Sequence, residues 1–144
     1  MIVSWPGKIA AGQRSDVPWG GWDFLPTAAA LAGAKTPAGV DGIDVLPQLR
    51  GQVPVRERVF YWEHHEKGFG QAVRIGELKA VRPTPGAAIE VYNLRADPGE
   101  SRDLAAAQPA FVARAQELFR TARTESEQWP LTTAPKKPAK KNKP

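Results

Sequence analysis

The stretch Trp22-Asp23-Phe24-Leu25-Pro26-Thr27-Ala28-Ala29-Ala30-Leu31-Ala32-Gly33-Ala34 constrains the fold more than any other, because no charged residue interrupts it between Asp23 and Lys35. It reads as a short helix. Asp23 sets a carboxylate beside the free N–H groups, Pro26 is tolerated only in the first turn, and Gly33 ends the element. Leu25, Ala28, Ala29 and Ala32 make one stripe, while Phe24, Thr27 and Leu31 lie on another side. A helix that is apolar nearly all round is stable only between covering layers. Leaving three or four of its side chains wet forfeits several kcal/mol of the roughly 5 to 15 kcal/mol that hold a domain together. The first fifty residues alone are therefore expected to be marginal, and residues 56 to 125 firmer.

The rest of the chain has globular composition, 42% apolar and 24% charged, so a real core is affordable. Fourteen Pro and thirteen Gly predict many turns. No apolar run approaches the roughly 18 residues of a membrane span, and no signal peptide is visible in this chain. With no Cys, disulfides, thiol catalysis and Cys-ligated zinc are excluded. The net charge of +5 is located in Lys136, Lys137, Lys140, Lys141 and Lys143, which leaves the body neutral. That distribution reads as a solvated Pro/Lys tail rather than a nucleic-acid surface.

In chain order, Ile2-Val3-Ser4-Trp5 is predicted as a strand stopped by Pro6-Gly7, and its position at the start suggests a sequence that begins inside something larger. Residues 8–21 and 35–51 read as loops flanking the helix. From residue 56 the period becomes two: Val59–Trp62, Gln71–Ile75, Leu78–Arg82 and Ile89–Leu94 are four strand candidates, with Gly76-Glu77 a tight hairpin turn. Which face of the last strand is core stays open. Asp97-Pro98-Gly99-Glu100 is a turn, and Asp103 caps a brief helical piece over Leu104–Ala107. Pro109 opens the longest helix, with Phe111, Val112, Ala115, Leu118, Phe119 and Ala122 on one side and Arg114, Glu117, Arg120 and Arg123 on the other. The expected organisation is 1–55, 56–128 and a disordered tail over 129–144.

Reactive side chains crowd only at Glu63-His64-His65-Glu66-Lys67-Gly68, at the end of the first strand of the sheet. Adjacent His on an extended segment point to opposite faces, which disfavours a metal site and leaves a substrate-facing loop or an ordinary strand end. No Ser lies in a Gly-x-Ser-x-Gly elbow, and the Gly residues form no phosphate-cradling pattern. Asp16, Asp23, Asp41 and Asp44 sit where carboxylates bond to backbone. The residues alone contain no self-sufficient active site.

Taken in order, Trp5-Pro6-Gly7-Lys8-Ile9, Ala11-Gly12, Ser15-Asp16, Asp23-Phe24-Leu25-Pro26-Thr27 with Leu31-Ala32-Gly33, and Asp41-Gly42-Ile43 with Leu46-Pro47-Gln48-Leu49-Arg50-Gly51 resemble the later part of type I sulfatases. These are the formylglycine-dependent arylsulfatase group of the alkaline-phosphatase superfamily. Phe60-Tyr61-Trp62-Glu63-His64, the run Gln71–Lys79, Val91-Tyr92-Asn93-Leu94, Asp97–Glu100 and Asp103-Leu104-Ala105 are similar to that family's C-terminal subdomain.

The resemblance implies an α/β, alkaline-phosphatase-like fragment: the edge of the α/β core, then a small four-stranded antiparallel sheet packed with a C-terminal helix. It implies a sulfuric ester hydrolase whose parent enzyme uses a calcium or magnesium ion and a formylglycine made from a C/S-x-P-x-R motif. That motif is absent here, so no catalytic or metal residue is carried over and the chain alone is expected to be inactive. Glu63, His64, His65, Gln71 and Arg74 are the residues expected to touch the non-sulfate part of a substrate. Implied partners are an N-terminal sulfatase core and a sulfated small molecule or glycan, with no nucleic acid and no membrane span. The other readings are a non-enzymatic module for sulfated or sugar ligands, and a fragment docking on a separate N-terminal half.

Overall fold

The computed structural model describes residues 1–52, 57–65 and 69–130, so all of the expected tail over 129–144 except Trp129 and Pro130, and residues Glu66, Lys67 and Gly68 of the polar cluster, lie outside the described residues. The chain divides into two compact units, Met1–Arg56 and Glu57–Pro144.

In the first unit a 3-10 turn, Gly21–Asp23, leads into α1, Phe24–Leu31, with Gly33 just beyond its end. Asp23 is fully buried, but it does not cap α1 as expected. Its backbone is already helical, φ −74 and ψ −15, whereas a capping residue needs extended backbone to aim its side chain at the first-turn amides. The carboxylate instead accepts from the Gly20 N–H at 2.8 Å and from the Ile43 N–H at 3.0 Å. Thr27 adds a second tie, donating to the Asp23 carbonyl at 2.7 Å and accepting from the Val45 N–H at 3.1 Å. Gly42 is what lets the returning loop come this close, because a Cβ there would collide with the Trp22 carbonyl.

Two expectations for this unit are corrected. Residues 2–5 form no strand: a strand needs a neighbour for its N–H and C=O groups, no ladder forms among residues 1–52, and Ile2 is 97% exposed. The loop over 35–51 contains a short helix, α2, Leu46–Leu49, which tolerates Pro47 in its first turn and starts where the Asp44 carboxylate accepts from the Leu46 N–H. Pro26 and Thr27 of α1 are buried, but Phe24, Leu25 and Leu31 remain 50 to 67% exposed.

The second unit is an antiparallel sheet in the order β1-β2-β3-β4, with β1 Val59–His64, β2 Gly70–Ile75, β3 Leu78–Arg82 and β4 Glu90–Asn93. Gly76, at φ 58, opens the two-residue turn that pairs Ile75 with Leu78, as its composition predicted. Tyr61, Val73, Ala80 and Val91 stand opposite one another across the four strands, and the last three are fully buried. The core face of β4 is therefore the one carrying Val91.

Against that row lies α3, Pro109–Thr121, which buries Ala115 and Phe119 and packs Phe111, Val112 and Leu118 around them. The brief helical piece is a 3-10 turn over Ala105–Ala107 whose N-cap is Leu104 rather than the expected Asp103, which one residue earlier accepts from the Ala105 N–H and also from the Val91 N–H of β4. Phe60 is buried on the opposite face, stacked on Trp62 with ring centroids 5.8 Å apart.

Removing the Phe119 ring is expected to cost about 3 to 5 kcal/mol, since the strands beneath it have little freedom to collapse into the void. Urea denaturation of Phe119→Ala, followed by far-ultraviolet circular dichroism, checks this. Asp23→Ala strands one buried and one part-buried N–H group and is expected to cost about 2 kcal/mol locally, read as faster amide exchange over residues 20–45.

Candidate functional site

The period of two along β1 puts Tyr61 and Glu63 on the α3 face, and their partners Val73 and Gln71 stand opposite them on β2. β1 runs through Glu63 and His64, paired with Gln71 and Gly70, so of the two readings left open for this stretch its first two residues are the strand end, two residues beyond the predicted Trp62. Polar side chains on this end of the core face bond to each other. Gln71, 2% exposed, donates to the Tyr61 hydroxyl at 2.7 Å and to the Phe119 carbonyl at 2.9 Å, and its own carbonyl accepts from Arg82. Tyr61 in turn donates a short hydrogen bond to Glu63.

Arg123 completes the arrangement, and the sequence reading missed it. Helical spacing placed it on the solvent side of α3, but the helix ends at Thr121 and that spacing ceases to apply. Its side chain is only 3% exposed and its Nε donates to Glu63 at 2.7 Å, with Glu125 and the Trp129 carbonyl as further partners. The His65 Nε2 lies 3.2 Å from the second Glu63 oxygen. Its ring sits between Phe69, at 5.1 Å, and Trp129, at 5.3 Å between centroids.

The electrostatics follow from these contacts. Burial alone would raise the Glu63 carboxyl, but hydrogen bonds from Arg123, Tyr61 and His65 outweigh it and hold the group below its ordinary 4.5. Burial, reinforced by donation to Glu63, pushes the Tyr61 hydroxyl well above the usual phenol range, so it stays a donor. The hydrogen bond to Glu63 raises Arg123 further still.

Glu63, His65 and Arg123, with Thr124, Ser126, Trp129 and the exposed His64, line a cleft of about 500 Å³. A larger hollow of about 830 Å³ lies inside the loop 3–13, but one consecutive run lines it and Lys8 is its single ionisable side chain. Of the predicted site residues, the structure brings Glu63, His64 and His65 to the cleft and buries Gln71 behind it. Arg74 stands elsewhere, opposite Phe60 and Lys79, with its Nε donating to the Gly76 carbonyl. Tyr61 was detectable as the aromatic two positions before Glu63; nothing in the spacing announced Arg123 or Trp129.

Glu63→Gln leaves the Arg123 guanidinium without its less exposed carboxylate partner, and a loss of about 3 kcal/mol is expected, at the low end for a broken buried pair because Glu63 keeps some solvent. Its contribution is present above pH 4.5, the ordinary carboxyl value, and is lost as pH falls through the lowered folded value. Thermal melts below that pH are therefore expected to fall less steeply for Glu63→Gln than for the parent. Asp97 and Asp103, held low by backbone N–H groups of Arg102 and Val91 respectively, keep part of the slope.

No protein-family model matches the chain. It is 34% identical to human arylsulfatase A over 128 residues, covering 72% of this chain and 25% of that protein. It is 40% identical to rat (Rattus norvegicus) steryl-sulfatase over 65 residues, covering 44% of this chain and 11% of that one. Among solved structures, Ps i-CgsB in complex with k-i-k-neocarrahexaose superposes with a TM-score of 0.74 at 26% identity, over 90% of this chain and 30% of that chain. The chain thus spans a quarter or less of the length of these curated relatives. The chain has sulfatase homologues over part of its length, and its sheet-and-helix architecture is alkaline-phosphatase-like.

Proposed function

We propose that this chain is part of a sulfate-ester hydrolase, in which it completes the fold and frames one edge of the substrate pocket while the reacting groups come from polypeptide outside these 144 residues. The observation that carries this reading is the 34% identity to arylsulfatase A over most of the chain but only a quarter of that enzyme. The residues in hand do not fit the family's reacting groups. The sequence has no Cys and no C/S-x-P-x-R motif from which a formylglycine is made. Among the described residues no three His, Asp or Glu side chains gather as ligands for a calcium or magnesium ion. No step of the reaction is therefore assigned to this chain.

Its contribution is shape and support. The Glu63–Arg123 pair fixes the wall of the cleft, His65 and His64 present imidazoles to a bound ester's non-sulfate part, and Gln71 holds the wall from behind. The partner this implies is the N-terminal sulfatase core. A substrate-contact role for Arg74 has no support from its position.

Two assays test the proposal. The purified chain with a chromogenic aryl sulfate and calcium is expected to release no sulfate, and turnover by the chain alone would overturn it. A chimaera carrying this chain in place of the matching segment of arylsulfatase A is expected to turn the ester over, with His65→Ala raising KM severalfold and leaving kcat nearly unchanged. A His65→Ala variant that loses kcat at constant KM would contradict a pocket-edge role.

A further inference from the structure

The contacts around Glu63 fix more than the cleft wall: they fix which nitrogen of His65 carries its hydrogen. Two donors meet one carboxylate oxygen, the Arg123 Nε–H at 2.7 Å and the Tyr61 hydroxyl, and this double tie aims the other oxygen at the His65 Nε2, 3.2 Å away. Against the pull of burial, hydrogen bonds from Arg123, Tyr61 and His65 hold the Glu63 carboxyl below its ordinary value, so it stays ionised. An ionised carboxylate only accepts. The neutral imidazole must therefore carry its hydrogen on Nε2, which leaves the Nδ1 lone pair unused.

Among the described residues no hydrogen bond is made to Nδ1. Turning the ring over would set Cε1 against Glu63 and strip that oxygen of its donor, and Phe69 and Trp129 pack against the ring with centroids 5.1 and 5.3 Å away. Yet His65 keeps 21% of its side chain exposed and lines the cleft of about 500 Å³. We infer that Glu63 is a positioning residue that holds His65 as the Nε2–H tautomer, so that the cleft offers an acceptor nitrogen and selects a ligand bearing a hydroxyl or amide N–H beside its sulfate ester. The inference rests on the pocket-edge reading above. A methyl ether at the same place would leave the nitrogen unpaired, which is how a site built for one hydroxyl rejects its analogue.

The test reads the imidazole nitrogens of the full nitrogen-15-labelled chain by long-range proton–nitrogen NMR, at an alkaline pH where imidazole is neutral. His64 and His65 are the two histidines of the chain, so His64→Ala assigns them. The parent is expected to show His65 protonated on Nε2 and bare on Nδ1. Glu63→Gln is expected to invert this: its single amide oxygen is claimed by Arg123 and Tyr61, which turns the NH2 toward His65, makes Nε2 the acceptor and moves the hydrogen to Nδ1. A purely structural role for Glu63 would weaken the variant without exchanging the nitrogens. The ligand probes are para-hydroxyphenyl sulfate and para-methoxyphenyl sulfate. In the parent the hydroxyl probe is expected to shift the Nδ1 resonance and to bind roughly tenfold more tightly than the methoxy probe, a preference that Glu63→Gln abolishes.

An Nδ1–H tautomer in the parent would overturn the inference, as would an Nε2–H tautomer that persists in folded Glu63→Gln. Should that variant fail to fold, the parent's own nitrogens and its probe preference still decide. Equal binding of the two probes, or an Nδ1 resonance that neither of them moves, would overturn the donor selectivity. Turnover of the aryl sulfate by this chain alone would remove the pocket-edge reading while leaving the His65 tautomer as found, so the two failures are distinguishable.

Discussion

Phe119, 1% exposed under the row made by Val73, Ala80 and Val91, is the contact on which the sheet unit depends. A four-stranded sheet with one naked face has nothing to hold it flat, and a single amphipathic helix is marginal in water. Each supplies the surface the other lacks. The small Ala80 and Ala115 let the helix come close to the strands, so the aromatic ring fills the space between layers instead of propping them apart.

That packing also sets the site. Gln71 is buried where β2 meets the last turn of α3, and its amide joins the Phe119 carbonyl to the Tyr61 hydroxyl. A helix-end carbonyl with no intrahelical donor is thereby satisfied by a strand residue. Once the end of α3 is held there, the chain that leaves it carries Arg123 back to Glu63. The cleft is thus a consequence of core packing, and its electrostatics are settled inside the protein before any ligand arrives.

How much of this could be read from residues depended on whether a local period governed the outcome. The four strands, the Gly76-Glu77 hairpin and the apolar stripe of α3 each follow from spacing along one segment, and each is present. Ile2–Trp5 has strand composition, but composition does not supply a partner. Arg123 was misplaced because the helical rule was carried past the end of the helix. Asp23 was read as a cap of its own helix, whereas its buried carboxylate serves a loop twenty residues away. Long-range polar bonds of this kind leave no periodic trace, and the functional wall of the cleft is made of them.

The claim at the centre of this account is that seating Phe119 is what delivers Arg123 to Glu63. The most direct measurement is the Arg123 Nε–H resonance in a nitrogen-15-labelled chain. The account predicts a slowly exchanging, downfield signal in the parent protein that is lost in Phe119→Ala, while the corresponding signal of Arg114 on the exposed side of α3 exchanges fast in both. An Arg123 signal that already exchanges freely in the parent, or one that survives unchanged without the Phe119 ring, would contradict it.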